Sequence, residues 1–146
     1  MNTKSNVYLA QFSLTITPGN MIFMPYAVSC VWSYAQTHDD IRDNYEMKEV
    51  FFEKIPPKEV VKKLDNPKVF AFGCYIWNCN YTDEVAKLVK EKFPECEITF
   101  LGKGYTKAVI DCSEYVDHFL DWDTFESLTP KTKKAKMISY QFDTII

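Results

Sequence analysis

Glycine is scarce in this chain, with four in 146 residues, at positions 19, 73, 102 and 104. A dinucleotide site needs Gly-x-Gly-x-x-Gly between the first strand and its helix, and the first loop offers only Gly19, so that site is excluded, as is a phosphate-binding P-loop. Histidine is scarcer still: His38 and His118 stand alone, and neither has a partner at a spacing that suggests a triad or a metal site. His118, beside Asp117, reads as a half-exposed helix histidine. Basic charge is not in excess, since 17 Lys and Arg face 20 Asp and Glu for a net charge of −3, which argues against sequence-independent nucleic-acid binding. No stretch approaches the roughly 20 apolar residues of a membrane span, and the opening MNTKSNVYLAQF has neither the apolar region nor the cleavage site of a signal peptide. No membrane association and a cytoplasmic location are therefore expected. Five cysteines (Cys30, Cys74, Cys79, Cys96 and Cys112) are an odd number for a disulfide framework and read as reduced packing residues. Cys74 and Cys79, five apart and near no second pair, do not match a structural zinc site, so no metal is expected.

What is present is a globular composition: 47% hydrophobic, 25% charged and 16% aromatic, in a chain the size of one domain, read as 1–146. Residues 6–12 form a short strand that ends in a turn-prone stretch around Pro18-Gly19-Asn20. Pro25 stands where a helix begins, and Val28, Val31, Trp32 and Ala35 recur at helical spacing; this helix, apolar nearly all round, should be well covered. After the polar exit 38–44, residues 49–53 read as a second strand. Val60, Val61 and Leu64 form the apolar face of a helix stopped by Asn66-Pro67. Val69 to Phe72 is a continuous apolar run, the pattern of a strand covered on both faces. Residues 80–95 are the clearest helix, with Asn80 or Thr82 as cap. Residues 98–101 form a fourth strand, 108–110 a weaker one, 115–120 a possible helix, 123–128 a short helix, and 137–142 alternate as a strand would; Lys131 to Lys136 read as a solvated linker.

Strands alternating with helices predict a doubly wound, Rossmann-like α/β domain with one mostly parallel sheet of about five strands. Ligands bind such sheets beyond the carboxyl ends of the strands, here 13–24, 73–80 and 102–106. The second of these segments completes FAFGCYIWNCN, an unusually aromatic stretch for a strand exit. Asp121-Trp122-Asp123 and Glu126 place carboxylates near another strand end, but no nucleophile and base form a catalytic constellation, so catalytic residues are read as none.

The segments VYLAQFS, MPYAVSCVWSYA, VFAFGCYIWN and ITFLGKG together resemble the amino-terminal cobalamin-binding domain of B12-dependent radical SAM enzymes, most closely its phage-encoded versions. The resemblance covers about residues 6–105; 106–146 diverge. It implies a fold that holds cobalamin above the strand ends, next to a barrel that carries an iron–sulfur cluster. The barrel's Cys-x-x-x-Cys-x-x-Cys is absent, which implies no iron–sulfur cluster and no radical chemistry by this chain alone. Tyr75, Trp77 and Asn78 match the family's serine-x-tyrosine-x-tryptophan-asparagine loop, with Gly73 in the place of the serine. Gly102-Lys103-Gly104 stands for the family's glycine-glycine-proline, and Asp121 to Phe125 for its Gly-Glu-Gly-Glu. The implied cofactor-binding set is Tyr75, Trp77 and Asn78, with Gly102 and Gly104 admitting the ligand and Pro25 and Tyr26 closing the other side. Two functions follow. One is a stand-alone domain for a corrinoid or another flat, amide-rich ligand. The other is a cofactor-free component, a phage structural or accessory protein and then located in the virion, whose strand-exit edge meets a protein partner.

Overall fold

The computed structural model describes residues 4–13 and 24–139. In order they form β1 (Ser5–Ala10), α1 (Tyr26–Ala35), α2 (Asp39–Asn44), β2 (Tyr45–Phe51), α3 (Pro57–Lys63), β3 (Pro67–Phe72), α4 (Cys79–Lys92), β4 (Thr99–Gly102), α5 (Lys107–Ile110), β5 (His118–Asp121), α6 (Trp122–Glu126) and α7 (Pro130–Ser139). This is an α/β fold in which every described strand pair is parallel. The strands are divided between two sheets, β2-β1-β3 and β4-β5, where one sheet was expected. The chain correspondingly clusters into two compact units that divide between residues 88 and 89.

In the first unit β1 is central. Val7, Tyr8, Leu9 and Ala10 are all buried, so both faces of the strand are covered. That is the environment expected of residues 69–72, but β3 lies at the edge of the three-stranded sheet and is only half-buried. Phe70 packs with Phe51 and Phe72, whereas Ala71, on the other face, is exposed. Order 2-1-3 opens a flavodoxin-like sheet, whose crossovers run in opposite directions from β1, so the topological switch point lies between the exits of β1 and β3.

α3 begins with Pro57, whose missing N–H costs nothing in the first turn, and buries Val60, Val61 and Leu64 as its spacing predicts. Asn66 then takes a left-handed conformation (φ 41°), tolerable for its short polar side chain, and Pro67 opens β3. α4 buries Val85, Ala86 and Val89. Neither proposed cap operates: the Thr82 hydroxyl sits inside the helix and donates back to the carbonyls of Asn78 and Cys79.

α1 departs from expectation more sharply. Only Ala35 is buried, whereas Tyr26, Val31 and Tyr34 are exposed. The cysteines are free, and four of the five are exposed, so they are not the packing residues expected.

In the second unit, residues 108–110 are helical rather than a strand, and 118–121 form β5 where a helix was expected, which places His118 on a strand, 3.3 Å from Glu97. Residues 131–136 are helical too: α7 carries them, with Lys136 over the Phe125 ring. The expected strand at 137–142 is overridden at 137–139, which are helical; 140–142 lie outside the described residues. Lys90 anchors the start of β5. Its ammonium lies 2.6 Å from the Asp117 carboxylate, which also accepts the Ile98 N–H. Burial alone would raise the Asp117 carboxyl, but the Ile98 hydrogen bond and Lys90 outweigh it and hold the carboxyl below its ordinary value. A depressed folded value contributes stability above the unfolded value, near 4, that is lost as pH falls through the lower folded one. Urea unfolding should therefore show Asp117→Asn less stable than the wild type at neutral pH, with the gap closing towards pH 3 (about one unit below the unfolded value).

Candidate functional site

The three strand exits of the first unit converge on one loop, residues 73–78. The hub is Asn78, which is 1% exposed. Its side-chain Nδ2 donates to the carbonyls of Phe12 (3.3 Å) and Gly73 (3.1 Å), while Oδ1 accepts the Tyr75 N–H at 2.7 Å. The Asn78 N–H in turn donates to the Tyr75 carbonyl. One buried amide therefore joins the exit of β1 to the loop after β3, across the switch point. A side chain that must give two N–H bonds and take one could only be Asn or Gln, and the reach suits Asn.

With its backbone held in this way, the loop turns its aromatic side chains outward. The Tyr75 and Trp77 rings are parallel, 4° apart with centroids at 4.6 Å, and both remain partly exposed. Gly73 lies against this pair: a β carbon there would stand 3.1 Å from Tyr75 Cε2, so a serine at this position would require the partly exposed ring to shift by a few tenths of an ångström. Ile76, between the two residues in sequence, is 92% exposed, an apolar tip with no cover.

The exit of β1 also sets the start of α1. Gln11 Oε1 accepts the Ala27 N–H at 3.1 Å, satisfying one donor in the first helical turn, and the Pro25 carbonyl takes Ser29 N–H and Oγ. Pro25 and Tyr26 are thus tied to the same strand exit as the aromatic loop, through adjacent residues Gln11 and Phe12. Tyr26 is exposed, and a hydrogen bond with Cys30 holds its phenol above the ordinary value. The exit of β2 contributes Lys54, whose Nζ donates to the Trp77 carbonyl, and Ile55, whose carbonyl accepts the Tyr81 hydroxyl. Burial first, then the Glu84 carboxylate, push the Tyr81 phenol up to about 12. Gln11, Lys54 and Tyr81 escaped the sequence reading because each acts through the backbone of another segment, and no spacing signals that.

Gly102 and Gly104 belong to the second unit. A β carbon at Gly102 would meet Phe100 at 2.5 Å and Thr106 Oγ1 at 2.9 Å, and one at Gly104 would meet the Asp121 carboxylate at 3.0 Å. The Gly104 N–H faces Asp123 Oδ2 at 3.4 Å, and Lys103 Nζ lies 3.8 Å from Asp123 and 3.9 Å from Glu126. Asp121 itself caps α6 by accepting the Asp123 N–H. The acids after β5 therefore already answer both the amide and the ammonium of this turn. Among the described residues no group of three His, Cys, Asp or Glu could hold a metal ion, and no helix is long and apolar enough to cross a membrane.

The class defined here is a doubly wound α/β domain whose switch point carries a fixed, outward-facing aromatic loop. Known proteins are similar to part of the chain. The chain is 35% identical over 72 residues, 49% of its length, to a cobalamin-dependent radical SAM methyltransferase, TokK, of Streptomyces tokunonensis. It is 31% identical over 72 residues to a 2-(S-pantetheinyl)-carbapenam-3-carboxylate methyltransferase of Streptantibioticus cattleyicolor. These 72 residues span 11% of each relative's length. No protein-family model matches the chain.

Proposed function

We propose that this chain is a cobalamin-binding-like domain that holds a corrinoid, or a ligand of the same flat, amide-rich kind, over the strand exits of its first unit. The observation that carries the reading is the stacked Tyr75–Trp77 pair, pinned by Asn78 at the β1/β3 switch point where doubly wound sheets place their ligands. The similarity to a cobalamin-dependent methyltransferase supports the choice of ligand class. Tyr75 and Trp77 offer an apolar face to the macrocycle. Asn78 holds that face in position, and Pro25 and Tyr26 at the start of α1 bound the other side. Gly102 and Gly104, also named by the family resemblance, lie in the second unit, where their turn has its polar groups already paired. When bound, a corrinoid supplies a cobalt centre able to carry a one-carbon group.

Purified protein incubated with hydroxocobalamin and freed of excess should retain stoichiometric corrin absorbance. Removing a stacking surface typically costs about 1–3 kcal/mol, so Trp77→Ala should weaken retention by about tenfold or more. Absence of corrin from the washed wild-type protein would overturn the reading.

A second reading is favoured by one observation: Ile76 at the loop tip is almost fully exposed, beside half-exposed Tyr75 and Trp77. Aromatic residues around an aliphatic tip are the composition of an interface centre. Here the edge is a cofactor-free contact surface of a structural or accessory component, of phage origin in the form the resemblance suggests. A protein that retains no corrin and instead buries Ile76 against a partner would satisfy this reading.

A further inference from the structure

The ties on the aromatic loop are unequally distributed. Asn78 secures its first half, through the Gly73 carbonyl and the Tyr75 N–H and carbonyl. The peptide that follows Trp77 has a different anchor. Its carbonyl accepts a hydrogen bond from Lys54 Nζ at 3.1 Å, a residue 23 positions away on the exit of β2. Lys54 is itself steadied: its ammonium lies 5.8 Å from the centre of the Tyr81 ring, and the Tyr81 hydroxyl donates to the carbonyl of the next residue, Ile55, at 2.7 Å. Trp77, Lys54, Ile55 and Tyr81 thus close a ring of contacts that spans the exit of β2, the loop and the first turn of α4.

We infer that Lys54 is a positioning residue for the ligand face: by holding the Trp77 carbonyl it sets the tilt of the indole before any ligand arrives, and so lowers the ordering cost of binding. The inference rests on the corrinoid reading for its ligand but not for its geometry. A hydrogen bond from a charged donor outweighs a neutral one, and a ligand face held ready binds more tightly than one that must be ordered. Lysine suits the task because its long stem reaches across the loop while the ammonium keeps the remaining donors in water.

The test uses the full chain with Trp32→Phe and Trp122→Phe, so that Trp77 is the sole indole. In that background Lys54→Met should raise acrylamide quenching of Trp77 about twofold in the absence of ligand and weaken hydroxocobalamin binding about tenfold or more, the worth of one charge-assisted hydrogen bond. Far-UV ellipticity and the urea midpoint should stay close to wild type. Lys54→Arg, which restores a charged donor, should return both Trp77 signals. Unchanged quenching in Lys54→Met would overturn the inference, as would a change that Arg fails to rescue or that comes only with loss of ellipticity. If the wild-type protein retains no hydroxocobalamin, the corrinoid reading falls, while the ligand-free quenching comparison still decides the role of Lys54.

Discussion

Asn78→Ala should lower the stability of the first unit by about 2–4 kcal/mol and release the aromatic loop, because it strands the Phe12 and Gly73 carbonyls and the Tyr75 N–H together. The cost comes mainly from the partners left behind: each buried polar group without a bond forfeits about 1–3 kcal/mol, offset where water enters the space vacated by the amide. Asn78→Asp sharpens the test, since it keeps the shape and Oδ1 but turns an oxygen towards two carbonyls. At neutral pH it should be worse than alanine. Burial beside two carbonyl dipoles raises the folded carboxyl value, so the destabilisation should ease as pH falls through that raised value and the protonated acid regains one donor. Urea midpoints across a pH series measure both effects. A variant as stable as wild type, with Tyr75 and Trp77 fluorescence unchanged, would show that the loop does not depend on this amide.

Phe12→Ala should be costlier still, about 3–5 kcal/mol, the usual range for deleting a buried phenylalanine. Phe12 is 1% exposed, meets Tyr81 edge-to-face at 4.7 Å, and its carbonyl is the far anchor of Asn78. Removing the ring opens a cavity below the loop and wets the Tyr81 phenol. Since burial is the main cause of that phenol's value of about 12, its titration in the variant should move down towards the ordinary tyrosine range. Alkaline difference absorbance against wild type reads this shift separately from the urea midpoint, so a collapsed cavity (small loss, no shift) and a wetted one (large loss, clear shift) are distinguishable.

Local periodicity made the first unit largely legible. Val60, Val61 and Leu64 on one helical face, and Val85 on another, are buried where their spacing predicts. Short elements were not legible. Ala108-Val109-Ile110 is apolar and partly β-branched, which suits a strand as well as a turn of helix, and only its position after the turn at 104–106 settles it as helix. The lysines of α7 look like a solvated linker, yet lysine is a good helix former, and Lys136 lies over the Phe125 ring. Tyr75 and Trp77 drew notice as aromatic residues at a strand exit, but Lys54, which holds the Trp77 carbonyl, lies 23 residues away, and Gln11, which holds the start of α1 at Ala27, lies 16 residues away. Long-range contacts to backbone atoms leave no periodic trace.

The central place of β1 also bears on how the chain is made. Val7 and Leu9 leave the ribosome well before their strand partners, Tyr45–Phe51 and Pro67–Phe72. At about 5–20 residues per second, β1 waits several seconds for the strand that closes its second side. During that interval an apolar strand with two open edges is exposed in a nascent chain, and its pairings, once possible, are non-local and slow to form. Yield during synthesis should therefore depend more on the solubility of residues 5–12 and on holding chaperones than on the equilibrium stability of the finished sheet.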